Sequence, residues 1–352
     1  MEIDKPLVSF CIKCYNQRHL IGDALKGAFA QTYSPLEIVI SDDASKDGSQ
    51  ELIESLIGEY RKNGGKHQVV FVKNEKNLGN LGNWQKLCEV AKGDLLIQAD
   101  GDDVSLPERA ERVVAAWLES GRKATLITNQ AVCFTDGGQI VGMVKSSEGQ
   151  GAVTTYTRWA LDKFPPLDMN LAGESGDDAI YSRRVKLFGP CVCVPQVLTC
   201  YRVGSGATTN HGLQFGAYRR RMVRWGFKSE LAAIRQALHD LDGMRNEIGE
   251  LAVTREAQWR KDAAYYQDCL VLWDSGNILS RCRMYFKRYL FKERLSLQVI
   301  GLILCLPQFV GDLIFDSVFA LLGKLRAGKF KALPKLCFED MVKLGEFCKK
   351  LV

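Results

Sequence analysis

The sequence has no internal repeat, no low-complexity segment and no unbroken apolar run of the roughly twenty residues that a bilayer-spanning helix needs. Its most apolar stretches, Leu295 to Val310 and Ser317 to Leu322, are interrupted or flanked by Gln298, Pro307, Gln308, Asp312 and Asp316. Asp312 and Asp316 are poor lipid-facing residues, so these stretches are expected to lie on a bilayer surface or to pack on the protein. Met1 to Pro6 carry Glu2, Asp4 and Lys5 and no long apolar core, which argues against a secretory leader. Twelve cysteines are present, and Cys11-x-x-Cys14 has the spacing of a redox or zinc half-site. Cys11 falls inside a strand pattern, and neither a second such pair nor a nearby Cys/His set completes a zinc site. Reduced thiols in a cytoplasmic compartment are therefore expected.

What is there is ordinary for a globular protein: 352 residues, 46% hydrophobic and 25% charged, enough for one large domain with a smaller one or for two. The net charge of +6 is unevenly placed. Residues 281–352 carry 14 basic and 6 acidic side chains, a local +8, leaving −2 for the rest. Basic residues beside apolar segments point to an anionic membrane surface at the inner face of the cell membrane and away from nucleic acid.

Strand and helix patterns alternate through the first hundred residues. Leu7 to Ile12, Leu36 to Ile40, Val69 to Val72 and Leu95 to Gln98 read as buried strands. His19 to Gln31 has helical spacing, and Asp47 with Gln50 looks like a capping box for the helix carrying Leu52, Ile53, Leu56 and Ile57. Asn77 to Asn83 reads as a turn ahead of a helix ending at Ala91. Such alternation implies a parallel sheet with right-handed crossovers. Beyond Pro107 a helix runs to about Ser120, and Ala124 to Thr128 is a further strand. Asp136-Gly137-Gly138 marks a hairpin between Ala131–Phe134 and Gln139–Val144. Ala179 to Leu187 is a short helix, and Cys191 to Thr199 a strand interrupted by Pro195. From His211 onward the pattern is nearly all helical, with long amphipathic helices over Leu213 to Leu241 and Glu247 to Ser275.

The chemistry gathers where strands end. Asp100-Gly101-Asp102-Asp103 follows one buried strand and Asp42-Asp43 another. Clustered carboxylates repel and are costly to desolvate, a cost that a hard cation such as Mg²⁺ or Mn²⁺ offsets. Two strands ending in carboxylates point to one crevice at the carboxyl edge of a parallel sheet, where α/β folds bind ligands.

Four separated motifs then occur in a telling order: Ser9 to Asn16 (SFCIKCYN), Leu36 to Ser45 (LEIVISDDAS), Asn77-Leu78-Gly79 with Gly93-Asp94, and Asp100 to Asp103. Gly176-Asp177-Asp178 and Tyr201-Arg202 follow. Over Pro6 to Asn210 the series resembles the inverting glycosyltransferases of family 2. The resemblance implies a GT-A fold: α/β, with a Rossmann-like, mostly parallel sheet bearing helices on both faces, here with a helical C-terminal region added. It implies a transferase domain over 1–210, with a nucleotide-sugar half over 1–105 and an acceptor half over 106–210, followed by helices over 211–352. The implied reaction moves a hexosyl or N-acetylhexosaminyl group from a nucleoside-diphosphate sugar to a glycan or lipid-linked glycan, with Mg²⁺ or Mn²⁺.

The residues take their roles from that resemblance and from their own chemistry. Asp43, beside Asp42, accepts a pyrimidine N–H, unless the pair serves only to shape its turn. Tyr15 lays its ring near the base, and Asn16 and Asn77 complete the nucleotide-binding motifs. Asp100 suits the ribose hydroxyls and, with Asp102, the metal. Asp103 either contacts metal-bound water or caps the next helix. Asp178 is the general base, or else the N-cap of the helix that starts near Ala179. Arg202 binds phosphate, holds the acceptor loop or forms a plain salt bridge.

Two departures from the family pattern stand out. Lys13-Cys14 replaces the usual Pro-Thr, and Lys13 is placed to pair with a phosphate or with Asp100. Gly204-Ser205-Gly206 stands where many members have a metal-binding His, and His211 lies further on, so a third ligand is unassigned. Two other function classes compete. A sugar nucleotidyltransferase usually needs a glycine-rich loop after the first strand, and Lys13 to Gln17 lacks that glycine. A non-catalytic binding module would not need Asp102 and Asp178 together.

Overall fold

The structure, a computed structural model, describes residues 5–135, 140–144, 151–173, 175–204 and 215–274. Two compact units divide it: one takes the described residues up to 165 and from 176 to 204, the other 166–173, 175 and 215–274. In the first unit, β1 (Val8–Cys14), β2 (Leu36–Asp42), β3 (Gln68–Lys73) and β4 (Leu95–Asp100) pair in parallel in the order β3-β2-β1-β4. The connections are α1 (Ile21–Phe29), α2 (Ser49–Lys62) and α3 (Gly79–Val90). Every residue of β1 and β2 is buried, as expected for strands covered on both faces. One face packs Phe10, Ile12, Ile38, Ile40 and Ile97 against Ile21, Leu25 and Ile53. Each such side chain contributes roughly 1.5–3 kcal/mol when fully buried.

The chain continues through β5 (Val104–Ser105), α4 (Arg109–Glu119), β6 (Leu126–Phe134), β7 (Ile140–Val144), β8 (Thr154–Thr157) and α5 (Arg158–Leu161). After the short α6 (Met169–Ala172) of the second unit come α7 (Asp177–Val185) and β9 (Cys191–Arg202). These strands extend the sheet as β4-β8-β6-β9-β5, with β7 paired to β6. β8 runs antiparallel between β4 and β6, while β6 and β9 are parallel. Trp84 of α3, Tyr156 of β8 and Tyr181 of α7 form an aromatic cluster with ring centroids 5.6 to 6.2 Å apart. In the second unit, α8 (Phe215–Ile248) and α9 (Glu250–Asp274) fold back on each other through Gly249, and Arg235 donates to Gln267 at 3.0 Å.

Several expectations are corrected. The stretches Ala124–Thr128 and Ala131–Phe134 are joined in one strand, β6, because Asn129 between them is satisfied inside the core. Asn129 accepts from Arg109 and donates to the Gln130 carbonyl and to Thr199. Pro195 does not break β9. The register with β6 jumps from Asn129↔Val194 to Gln130↔Val197, and this irregularity absorbs a residue that has no N–H for the ladder. β8 carried no sequence signal strong enough to identify it. Helix α3 starts at Gly79, so Gly79 to Asn83, most of the supposed Asn77–Asn83 turn, is helical. The capping box is incomplete: Asp47 accepts the Ser49 amide at 3.0 Å, but Gln50 turns away to Asp42 and Gly48 is the N-cap. Cys11 and Cys14 are buried and free, and their three-residue spacing along β1 puts them on opposite faces. Among the described residues no helix is long and apolar enough to cross a membrane. The basic, apolar stretch 281–352, His211 and the Asp136-Gly137-Gly138 turn lie outside the described residues.

Candidate active site

Parallel pairing brings strand ends together. Lys13 is opposite Asp100 and Cys14 opposite Asp42, so β1, β2 and β4 deliver their last polar residues to one carboxyl edge. The first turn of α7 adds Asp177 and Asp178, with Gly176 as its N-cap, so Asp178 does not hold the N-cap position itself.

The acidic turn is built on backbone contacts. The Asp103 amide donates to the Asp100 carbonyl at 3.1 Å, and the Gly101 amide to the Lys13 carbonyl at 2.9 Å. A Cβ on Gly101 would sit 3.0 Å from that carbonyl and 2.5 Å from Gln17 Oε1, so this position admits only glycine without a shift. Asp103 caps no helix. It accepts the Arg202 amide at 2.7 Å, and its other oxygen is buried with no hydrogen-bond partner. Burial, then the charges of Asp102 and Asp100, push the Asp103 carboxyl well above the usual carboxylate range. Burial and Asp100 likewise push Asp102 up to about 6. Among the described residues Asp102 makes no ion pair, and no set of three His, Cys, Asp or Glu side chains is arranged to hold a metal. Crowded, underneutralised carboxylate oxygens remain a donor set that fits a hard divalent cation.

Arg202 lies against this turn and holds it. Its Nε donates to the Asp102 carbonyl at 2.9 Å, one Nη lies 3.4 Å from Asp23, and the guanidinium stacks 4.7 Å over the Phe134 ring. That arrangement matches a salt bridge that shapes the turn. Beneath it, fully buried Arg109 donates to the Gln98 carbonyl, Ser105 and Asn129, and burial lowers its pKa to about 9.

Lys13, 6% exposed, is the centre of a second cluster. Its ammonium reaches Asp177 at 2.5 Å, Asn80 at 2.7 Å and Asp100 at 3.0 Å. Burial works against its charge, but Asp100 and Asp177 overcome that and hold it above the ordinary lysine range. Asp177 also accepts from Gln98 (2.7 Å), Asn80 (3.0 Å) and the Asp178 amide (3.0 Å). Among the described residues Asp178 has no such cation. It accepts the Ala179 amide at 2.8 Å and the Gly151 amide at 3.2 Å, and burial followed by the Asp177 charge pushes it up to about 6. A Cβ on Gly151 would lie 3.4 Å from Asp100 Oδ2, so this residue separates Asp178 from the acidic turn by little more than its own backbone.

The far end of the crevice is held by short loops. Asp42 accepts from the Ser45 amide, the Ser45 hydroxyl and Gln50. Asp43 accepts the Leu78 and Gly79 amides at 2.8 and 2.9 Å and Asn74 at 3.2 Å, so both carboxylates shape turns. Asn16, at φ 50°, donates its amide to Ser45 and accepts the Lys46 amide, and Asn77 accepts the Gly79 amide. Tyr15 is 40% exposed. A cavity of about 560 Å³ opens beside these loops, lined by Arg18, Ser45, Lys46, Gln50, Asn74 and Glu75.

Asp100, Asp102 and Asp178 are thus joined at one edge, with Tyr15, Asn16, Asp42, Asp43 and Asn77 along it. Of the two pairings open to Lys13, the structure has the one with Asp100. Sequence reasoning missed Asn80, Gln98 and Gly151. The available signal was a lysine and a glutamine in otherwise apolar strands, since a buried polar group requires partners.

Residues 9–185, half of the chain, match the family model for glycosyl transferase family 2. An uncharacterized glycosyltransferase of Methanocaldococcus jannaschii is 28% identical over 142 residues, 40% of this chain and 47% of that protein. TuaG of Bacillus subtilis, a putative teichuronic acid biosynthesis glycosyltransferase, is 30% identical over 115 residues, 33% and 43% of the two chains. The chain spans less than half the length of both relatives. In fold it is similar to the mannosyltransferase PcManGT of Pyrobaculum calidifontis, solved with GDP-Man and Mn²⁺, at TM-score 0.51 and 13% identity over 92% of this chain and 87% of that one. The mixed, mostly parallel sheet is the GT-A arrangement that the motifs imply. With half of its length matched to the family model, and its motifs gathered at one sheet edge, the chain belongs to glycosyltransferase family 2.

Proposed function

We propose that the chain transfers a hexosyl or N-acetylhexosaminyl group, with inversion, from a uridine, thymidine or guanosine diphosphate sugar to a hydroxyl of a glycan or lipid-linked glycan. The observation that carries this reading is the pair of acidic centres that approach each other at Gly151: the turn Asp100 to Asp103, and Asp178 with its raised proton affinity. A base that takes a hydroxyl proton works best with a pKa near the working pH, and burial moves Asp178 in that direction.

In this reading the acceptor hydroxyl hydrogen-bonds to Asp178, which takes its proton as the oxygen attacks the anomeric carbon. The bond to the diphosphate breaks, and its electron pair leaves with the diphosphate. Asp102 and Asp100 would hold Mg²⁺ or Mn²⁺, which when bound supplies Lewis-acid neutralisation of the leaving group. Asp100 also suits a ribose hydroxyl. The remaining lone pair of Asp43 suits a base N–H, with the Tyr15 ring alongside. Support for the donor class is general: PcManGT was solved with GDP-Man and Mn²⁺, and the relatives are named glycosyltransferases. Support for a glycan acceptor comes from the teichuronic acid assignment of TuaG.

We assign transfer to residues 1–210, donor binding to 1–105 and acceptor binding to 106–210. The region 211–352, helical in pattern by its sequence, would attach the protein peripherally to the inner face of the cell membrane, a proposal that rests on the sequence of 281–352. The test is calorimetry with a panel of UDP-, dTDP- and GDP-sugars in Mn²⁺ and in EDTA, followed by NMR of the anomeric configuration in the product. Equal donor affinity in both buffers removes the metal. A retained configuration removes inversion. Neither binding nor hydrolysis across the panel overturns the reading.

A further inference from the structure

We propose that Lys13 is a positioning residue that holds the base Asp178 in register with the donor-side carboxylate Asp100, an inference that rests on the function proposed above. An ammonium has three protons, and Lys13 spends all three on groups from separate segments: Asp100 at the end of β4, Asn80 in the first turn of α3 and Asp177 in the first turn of α7. Asp177 in turn accepts the backbone amide of Asp178. Asp178 accepts the amide of Gly151, where an added Cβ would come 3.4 Å from Asp100 Oδ2. The contacts run from Asp100 through Lys13, Asp177 and Asp178 to Gly151, which lies beside Asp100 again. Two carboxylates, Asp100 and Asp177, therefore share one buried cation, and the base Asp178 does not touch it. Lacking that pairing, Asp178 keeps a proton affinity suited to a base. Lys13 also has no proton left for a phosphate as long as these contacts persist.

The experiment compares the wild type with Lys13→Met, Asp177→Asn and the double variant. UDP-N-acetylglucosamine and GDP-mannose with Mn²⁺ are the probes. Donor Kd is read by calorimetry, turnover by release of nucleoside diphosphate, and folding by thermal melting. The expected result is a tenfold or greater loss of kcat in each single variant, with donor Kd changed less than threefold. The double variant should lose no more than the worse single variant, because the two residues act as one unit. A Lys13→Met that weakens donor binding tenfold with kcat retained makes Lys13 a phosphate ligand and overturns the inference, as does kcat within twofold of wild type. If Lys13→Met does not fold, Asp177→Asn, which keeps the shape, decides by the same kcat and Kd criteria. A wild type that releases no nucleoside diphosphate from either donor overturns the inference together with the reading it rests on. An active wild type with unaffected variants overturns only the role of Lys13.

Discussion

Asp177 and Asp178 are neighbouring carboxylates in one helical turn with opposite surroundings. The first is bound by a lysine, two amide side chains and a backbone amide, the second by two backbone amides. Asp178→Asn is expected to leave donor Kd nearly unchanged and to lower turnover by roughly 10²–10⁴, the range for a lost general base. The pH dependence follows from the sign of the shift. Asp178 is pushed up to about 6, and a base works only when deprotonated, so kcat should be level above that pH and fall as pH drops through it. A pH–rate profile in saturating donor and Mn²⁺ checks this, and a profile level down to pH 4.5 would contradict it. Asp102 differs in having no ion pair among the described residues. Asp102→Asn should weaken donor binding in Mn²⁺ at least tenfold and leave the weaker binding in EDTA unchanged. Equal loss in both buffers would mean that Asp102 serves the turn and not the cation.

The Asp43 side chain ties the loop after β3 to the end of β2. Asp43, 2% exposed, accepts the Leu78 and Gly79 amides where α3 begins. An anion there is also favoured by the positive end of the helix. Asp43→Ala leaves both amides without this acceptor and should cost about 1–3 kcal/mol of stability, read from the denaturant midpoint at constant slope. Asp43→Asn, which keeps an acceptor oxygen, should cost less. If the two variants are equally stable, the latch has no energetic weight. Strand β9 makes a related point about elements. Its register shift opposite Asn129 and Gln130 lets one strand carry Pro195 and still deliver Arg202 behind the acidic turn.

For the whole molecule, the basic and apolar stretch 281–352 sets the expectation. Lysine and arginine near an anionic bilayer contribute on the order of 1 kcal/mol each, screened by salt. The protein should pellet with phosphatidylglycerol-containing liposomes at low salt and be partly released at high salt. A variant ending before Arg281 should stay in the supernatant and still hydrolyse donor. Pelleting of that variant would move the membrane contact elsewhere. Resistance of the full chain to both high salt and alkaline wash would mean a spanning hairpin.

Local periodicity and strand-end acids were enough to read the four parallel strands, the helices between them and the carboxyl edge with Asp42, Asp43 and Asp100 to Asp103. Buried parallel strands are continuous apolar runs, and their ends are where carboxylates become visible. The resemblance to family 2, carried by motif order, added Asp178, which lies far from the others in sequence. Other features were decided only by tertiary structure. β8 is four residues long and owes its place to partners on both sides, so no pattern of its own marks it. Asn129 and Gln130 look like a break until Arg109 and Thr199 satisfy Asn129 within the core. Lys13 reads as an odd charge in an apolar strand. Parallel register sets it beside Asp100, and the first turn of α7, more than 160 residues away, brings Asp177 to it. A buried charge is stable only with its partners, and those partners are chosen by the fold, not by neighbours in the chain.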